Sequence, residues 1–291
     1  MRIPTVGVSV VIPTYGRDRA LTDTIGRVLK LRPAPAEVLI IDQTARHHAA
    51  TETALASWAA RSAIRWVRLE RPSIPAAMNQ GLVQAGQEVV LFLDDDIEPE
   101  PGLIGAHLGA HRRQGDTIVA GLVIQPWHAD PSNAMTEASN RGASDFMGGN
   151  FSVRRDAAVR VGGFDERFVR VAYRFEAEFA ARFREAGGSI CFQPTAAVRH
   201  LKEPRGGTRS FGDHLRTMMP SHAVGEYYYL LRARPLGWMA QFVRRPWRSF
   251  ATRHHLRRPW WILPTLIAEA LGICWSLCLW LRGPKLMPRE G

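Results

Sequence analysis

The sequence predicts an α/β fold on a largely parallel sheet, and three observations carry that prediction. Short runs dominated by branched apolar residues recur, at 8–13 (VSVVIP), 37–42 (EVLIID) and 89–93 (VVLFL), and they read as strands buried on both faces. Segments of helical length separate these runs, and strands alternating with helices imply parallel pairing through right-handed crossovers. The second and third runs each close on a carboxylate, Asp42 and Asp94, at the strand ends where open α/β sheets form their ligand crevice.

The elements follow in order. The strand at 8–13 leads into a Thr14-Tyr15-Gly16-Arg17 loop, and Asp18 or Thr22 is placed to cap a helix that Pro33 and Pro35 end. After the strand ending at Asp42, a helix over 49–61 precedes a short strand at 64–69. A helix at 74–85 opens with Pro75 and carries Asn79 early. The strand 89–93 runs into Asp94-Asp95-Asp96, and Pro99 and Pro101 sit where a following helix is expected to start. A helix at 103–113 and a strand at 117–124 come next, then a polar stretch, 126–145, read as an irregular loop. Residues 146–153 (FMGGNFSV) place a Gly-Gly pair in a strand-like run, a sign of close approach by a ligand or backbone. A helix at 173–186 is stopped by Gly187 and Gly188, with Phe175, Phe179 and Phe183 on its core face. Glu176 and Glu178 lie two apart and cannot share a face; Glu178 is spaced to pair with Arg182 at i+4, which leaves Glu176 for a site. A last strand at 190–198 is followed by His200.

Three adjacent aspartates repel one another unless something positive sits among them. At the end of a buried strand a divalent cation is the natural candidate, and an acidic turn at a helix N-terminus is the plainer alternative. No G-x-G-x-x-G and no Walker A string occurs, which argues against a dinucleotide fold or a P-loop ATPase. Cys191, Cys274 and Cys278 make no disulfide framework or zinc spacing, so a reducing compartment is expected. The first residues read as a strand rather than a secretory leader.

The net charge of +11 over 291 residues is unevenly placed. Residues 1–198 are neutral, and residues 199–291 hold 16 Lys and Arg against 5 Asp and Glu, the whole excess. That tail interleaves arginine with Trp and Tyr, notably Tyr227-Tyr228-Tyr229, Arg244-Arg245-Pro246-Trp247-Arg248 and Arg257-Arg258-Pro259-Trp260-Trp261. Residues 262–281 follow, nearly all apolar and long enough for a spanning helix, for which roughly 20 residues suffice. Thr265, Glu269, Gly272 and Ser276 nevertheless form one narrow helical stripe, and a mid-helix carboxylate is costly in lipid. Peripheral attachment to an anionic membrane is therefore expected, with a single span as the second reading and a helix buried in a soluble core as the third.

Several ordered stretches together resemble the family 2 inverting glycosyltransferases of the GT-A fold: VSVVIPTYGR, LIIDQTA, MNQGL, FLDDDIEP, GGNFSVRRDAAVRVGGFDERF and RFEAEFAARFREAGGSICFQPTAAVRH. The match covers roughly residues 6–210. It implies a GT-A type, Rossmann-like mixed sheet flanked by helices at 1–210; beyond it, composition alone makes 211–291 a helical, basic and aromatic membrane-associating region. The resemblance implies a donor site made of Pro13, Thr14, Tyr15, Arg17, Asp42, Asn79, Asp94, Asp95, Gly149, Asn150 and Arg209. Asp94 and Asp96, with His200, would hold Mg²⁺ or Mn²⁺. Relatives carry Glu-Asp at the start of the catalytic helix, with the Asp as general base; here Phe175-Glu176 stands there, so Glu176 inherits the role, one methylene longer, with Glu178 as the alternative. Gly206-Gly207-Thr208-Arg209 is read as a loop closing on a diphosphate or as a plain basic linker.

The expected reaction is transfer of a sugar from a nucleoside-diphosphate donor, UDP favoured and dTDP-rhamnose open, to a lipid-linked saccharide hydroxyl at the cytoplasmic face of the inner membrane, without nucleic acid. A nucleotidyltransferase is the rival enzyme class, but its Gly-rich GxGTR loop should follow the first strand, where PTYGR stands. A non-catalytic scaffold would not need the acidic constellation.

Overall fold

Apolar strands of five to eight residues can be buried on both faces only inside a layered sheet, and the chain builds one. The structure, a computed structural model, describes residues 7–128, 130–140, 146–169, 172–208 and 215–288. In order, β1 (Val8–Thr14), α1 (Arg19–Val28), β2 (Glu37–Asp42), α2 (Ala49–Ala60), β3 (Arg65–Arg68), α3 (Ile74–Gln84) and β4 (Val89–Leu93) form a parallel half. Then come β5 (Ile97–Pro99), α4 (Leu103–Arg113), β6 (Thr117–Ile124), α5 (Pro131–Asn140), β7 (Asn150–Arg154), α6 (Arg155–Arg160), α7 (Phe175–Glu185) and β8 (Ser189–His200). Among the described residues four helices follow: α8 (Ser221–Ala233), α9 (Trp238–Phe250), α10 (Arg253–Arg257) and α11 (Ile262–Leu281).

The eight strands lie in the order β3-β2-β1-β4-β7-β6-β8-β5. Pairing is parallel from β3 to β4, while β7 runs antiparallel to both β4 and β6, so the sheet is mixed, as the family resemblance implied. The register sets Thr14 opposite Asp42, which aligns the ends of β1 and β2. One apolar layer is built from Val10, Ile12, Leu21, Ile25, Ile40 and Leu91. The other joins Val11, Leu39 and Phe92 to an aromatic cluster of Phe151, Phe164, Phe175, Phe179 and Phe183. The three phenylalanines of α7 are all buried, as their spacing predicted.

Two sequence expectations change here. Pro99 does not begin a helix: Ile97–Pro99 pairs antiparallel with the end of β8, Ile97 opposite His200, and α4 starts only at Leu103 after Gly102. That pairing extends β8 to His200 and carries the histidine to the acidic turn. The polar stretch after β6 is not wholly irregular, since Pro131–Asn140 is helical and Ala134 is buried against Leu122 and Ile124. Asp130 starts it by accepting bonds from the Ser132 and Asn133 amides.

The helix of 262–281 has the predicted bounds, and its polar stripe turns inward. Thr265, Glu269, Gly272 and Ser276 are buried against α8 and α9, where Tyr227 donates to Glu269 at 2.6 Å and Arg245 pairs with the same carboxylate at 2.5 Å. Tyr227 and Tyr228, expected among the membrane-facing aromatics, are fully buried; Tyr228 donates to Asp165 at 2.7 Å. A buried phenol needs such an acceptor: Tyr227 ties α8 to α11, and Tyr228 ties α8 to the segment before α7. Val224, Tyr228 and Leu279 belong to the same apolar cluster as Phe168 and Phe175. Beyond α11 the chain returns as a strap: the Glu166 amide donates to Lys285, and the Met287 amide to Gly162.

Candidate active site

The sheet's carboxyl edge gathers Thr14, Asp42 and Asp94-Asp95-Asp96, because β1, β2 and β4 are parallel neighbours that end together. The triple aspartate is answered by positive groups of the chain itself. Arg17, nearly buried, places Nε 3.4 Å from Asp95 and Nη2 3.2 Å from Asp96, and donates through Nη1 to the carbonyls of Glu203 and Arg205. Thr14 donates to Asp95 at 2.7 Å. Burial pushes the Asp95 carboxyl up to about 7, against the pull of Arg17 and Thr14.

Asp96 has further partners beyond Arg17. His200 Nε2 lies 3.1 Å from one of its oxygens, and the Glu203 amide donates to the other at 2.9 Å. Gln125 accepts at 3.0 Å from His200 Nδ1, which fixes the ring with Nε2 facing the carboxylates. Burial works against the imidazolium, but the bond to Asp96 and the charges of Asp96 and Asp94 outweigh it and raise the His200 pKa. Asp94, Asp96 and His200 each offer a ligand atom, all within 4.8 Å of one another. Two carboxylates and an imidazole make a donor set that could hold a divalent ion such as Mn²⁺ or Mg²⁺.

Gly148 and Gly149 join this cluster to α7. A Cβ on Gly149 would collide with Asp94, and one on Gly148 would come within 2.8 Å of Glu176 Oε1. Two carboxylates therefore press on adjacent residues, whose Cα atoms are about 3.8 Å apart. The Gly-Gly pair is the strip along which Glu176 and the Asp94 end of the acidic turn approach each other. Glu178, in contrast, is buried and held by both oxygens to Arg182 at 2.7 Å, the predicted i+4 pair. Arg182 also donates to the carbonyls of Val161 and Gly163, so this ion pair pins the segment before α7.

The other expected residues sort by where their side chains point. Tyr15 is exposed at the rim, and its carbonyl accepts from Gly207 at 2.7 Å, so the 203–207 loop is folded onto the first loop. Pro13 precedes Thr14 at the end of β1. Asp42 is wholly buried and accepts from Trp66 Nε1 and His47 Nε2, both at 2.9 Å, and from the Thr44 amide at 2.8 Å. The amides of Asn79 and Asn150 are engaged inside the fold. Asn79 exchanges bonds with Phe164, and Asn150 donates to Leu122 and Ala196 while accepting from His107 Nε2 at 3.1 Å. Arg209 lies outside the described residues.

Sequence reasoning missed His47, Trp66 and Gln125, and it missed Arg17 as the counter-charge of the acidic turn. Each acts through a contact between distant segments, for which no local pattern exists; only the His47-His48 pair beside Asp42 offered a signal.

A mixed α/β sheet whose edge bears an Asp-x-Asp turn, facing a carboxylate on a neighbouring helix, defines a glycosyltransferase of GT-A type. A family model described as glycosyl transferase family 2 matches residues 9–165, more than half of the chain, and the protein belongs to that family. It is 33% identical over 132 residues to an N-acetylglucosaminyl-diphospho-decaprenol L-rhamnosyltransferase of Mycobacterium tuberculosis, a match covering 45% of this chain and 40% of that one. It is 24% identical over 216 residues to a glucosyl-dolichyl phosphate glucuronosyltransferase of Haloferax volcanii, covering 66% of this chain and 68% of the relative. Among solved structures it is similar to GalNAc-T7 with UDP, GalNAc and Mn²⁺ (TM-score 0.62, 16% identity, 79% of this chain and 48% of the other). It is also similar to a mannosyltransferase of Pyrobaculum calidifontis with GDP-Man and Mn²⁺ (TM-score 0.58, 17% identity, 96% and 80%). These two likenesses bear on the fold alone.

Proposed function

We propose that the protein transfers a sugar, with inversion, from a pyrimidine nucleoside-diphosphate donor to a hydroxyl of a lipid-linked saccharide at an anionic membrane surface. The observation that carries the reading is the Gly148-Gly149 strip, which sets Glu176 beside the Asp94-Asp96-His200 cluster. Asp94, Asp96 and His200 would hold Mn²⁺ or Mg²⁺, which when bound neutralises charge on the leaving diphosphate.

The chain's own residues do the rest. Glu176 accepts the acceptor hydroxyl's proton; Glu178 is unsuited because both its oxygens are bound to Arg182. The loop of Pro13, Thr14, Tyr15 and Arg17 and the buried Asp42 wall the donor side, and Asp95, tied to Thr14 and Arg17, holds that loop against the acidic turn. Arg17 offsets the charge of Asp95 and Asp96 and draws the 203–207 loop toward them. No second carboxylate is needed as nucleophile, in keeping with inversion.

The lipid-linked acceptor is supported by two relatives whose names carry diphospho-decaprenol and dolichyl phosphate. Membrane attachment is supported by the outer face of α11, where Leu263, Leu271, Trp275 and Leu281 are exposed, and by α9, where Met239, Val243 and Trp247 are exposed. Exposed Arg244, Arg257, Arg258 and Arg282 flank these faces. Among the described residues one helix, with its preceding turn, is long and apolar enough to cross a bilayer. Because its polar stripe packs on α8, we read it as lying in the interface of the cytoplasmic leaflet. A UDP-sugar is the first donor reading; dTDP-rhamnose is the second, favoured by the rhamnosyltransferase relative.

The test is acceptor-dependent release of nucleoside diphosphate from a panel of UDP- and dTDP-sugars, using a synthetic prenyl-diphosphate-linked N-acetylglucosamine. Release with one pyrimidine donor that rises on adding acceptor is expected. Release with none of them, or acceptor modification by a nucleotidyl group, contradicts the reading.

A further inference from the structure

A cavity of about 430 Å³ lies away from the acidic turn, between the entry to α7 and helices α8, α9 and α11. Its walls include Tyr173, Arg174, His222, Glu226, Arg245 and Arg248, with Glu269 at its base. Tyr173 stacks on His222 with ring centroids 3.7 Å apart, and α8 packs tightly on this segment at Gly225, which has no room for a Cβ beside the Tyr173 carbonyl. Tyr173 and Arg174 precede Glu176 by three and two residues, so the cavity adjoins the start of the helix that carries the proposed base.

Charge in the cavity does not cancel. Arg174 pairs with Glu226 at 3.0 Å and Arg245 with Glu269 at 2.5 Å, while Arg248 makes no ion pair among the described residues. Arg245 keeps one donor in reserve, since its Nε is buried with no hydrogen-bond partner. An uncompensated guanidinium and a buried unused N–H call for an oxyanion, and phosphate oxygens match arginine geometry. The helices that wall the cavity also carry exposed apolar residues, Met239 and Trp247 on α9 and Leu263 and Leu271 on α11, and Met219, just before α8, is exposed at the cavity edge. A ligand that fits has an anionic head and an apolar tail.

We infer that this cavity binds the phosphate group of a phosphorylated lipid, holding the acceptor by its head beside α7. The inference rests on the lipid-linked acceptor reading above, and a binding measurement separates the two. Farnesyl diphosphate is titrated calorimetrically into the full-length protein in detergent, with inorganic pyrophosphate and farnesol as companion probes. Farnesyl diphosphate is expected to bind at least tenfold more tightly than either companion. Arg248→Glu is expected to weaken it at least tenfold and Arg248→Lys by no more than about threefold; Arg248 is exposed, so folding is preserved, and circular dichroism verifies this. UDP with Mn²⁺ should not compete.

Equal binding to the wild type and Arg248→Glu overturns the inference, as does no binding at all. Pyrophosphate binding as tight as farnesyl diphosphate makes the cavity a free-phosphate site and overturns the lipid assignment. Competition by UDP places the diphosphate in the donor site and overturns it too. The functional reading fails separately, by absence of donor turnover, which this titration does not involve.

Discussion

At the scale of residues, the account depends on two glutamates that stand two positions apart and do different work. Glu176 abuts the Gly-Gly strip, and Glu178 is locked to Arg182 beneath it. Glu176→Gln is therefore expected to keep donor affinity and lose transfer by roughly 10²–10⁴, the usual size of a general-base contribution. Glu178→Gln should act on stability instead, because loss of one partner leaves Arg182 buried and uncompensated, at a cost of about 3–5 kcal/mol. Paired turnover and thermal melts of the two variants check this; an inactive, stable Glu178→Gln beside an active Glu176→Gln would reverse the assignment. Much at this scale was legible in the sequence: the acidic turn follows an apolar strand, and helical spacing alone separates the two glutamates and predicts the Glu178–Arg182 pair. Arg17 was not legible as the partner of Asp95 and Asp96, nor Gln125 as the partner of His200. Those contacts join segments that only the sheet order brings together.

Elements show the same division. The bounds of α11 and its polar stripe follow from composition and period, but the direction in which the stripe faces does not. It is set by Tyr227 and Arg245, which lie on other helices and supply the partners of Glu269. The strand at 97–99 was hidden because prolines suggested a helix start, whereas pairing with β8 decided the outcome. Removing residues 260–291 would take Leu279 out of the core, so truncation tests folding rather than attachment. Substitution of the outer face is the cleaner test. Changing Trp275, Trp280 and Leu281 together to Ser should leave the melting temperature within a few degrees and abolish flotation with phosphatidylglycerol vesicles. Undiminished flotation after a high-salt wash would remove this face from the attachment. Glu269→Ala should do the opposite, lowering the melting temperature markedly, since it leaves a tyrosine hydroxyl and a guanidinium buried without their acceptor.

For the molecule as a whole, stability should depend on pH through a buried pair that has no part in the reaction. His107 and His111 lie under the sheet, where Ser152 donates to His107 Nδ1 and accepts from His111 Nε2, each at 2.8 Å. This chain of bonds needs His107 neutral, since its Nδ1 accepts, and burial pushes the pKa of each ring down to about 4 from 6.5. Between pH 6.5 and about 4 the unfolded chain takes up protons that the folded one refuses. Stability is therefore full above pH 6.5 and falls as pH drops through that window. A melting temperature that stays flat from pH 7 to 4.5 would contradict this, and His111→Gln should flatten the slope. The central claim is that the acidic turn holds a divalent ion through which a sugar nucleotide is bound for transfer. The most direct measurement is nucleoside diphosphate release by the wild type and Asp96→Asn, each with Mn²⁺ and with EDTA. The account predicts release only by the wild type with Mn²⁺ or Mg²⁺, with both proteins folded; wild-type turnover undiminished in EDTA, or a fully active Asp96→Asn, would contradict it.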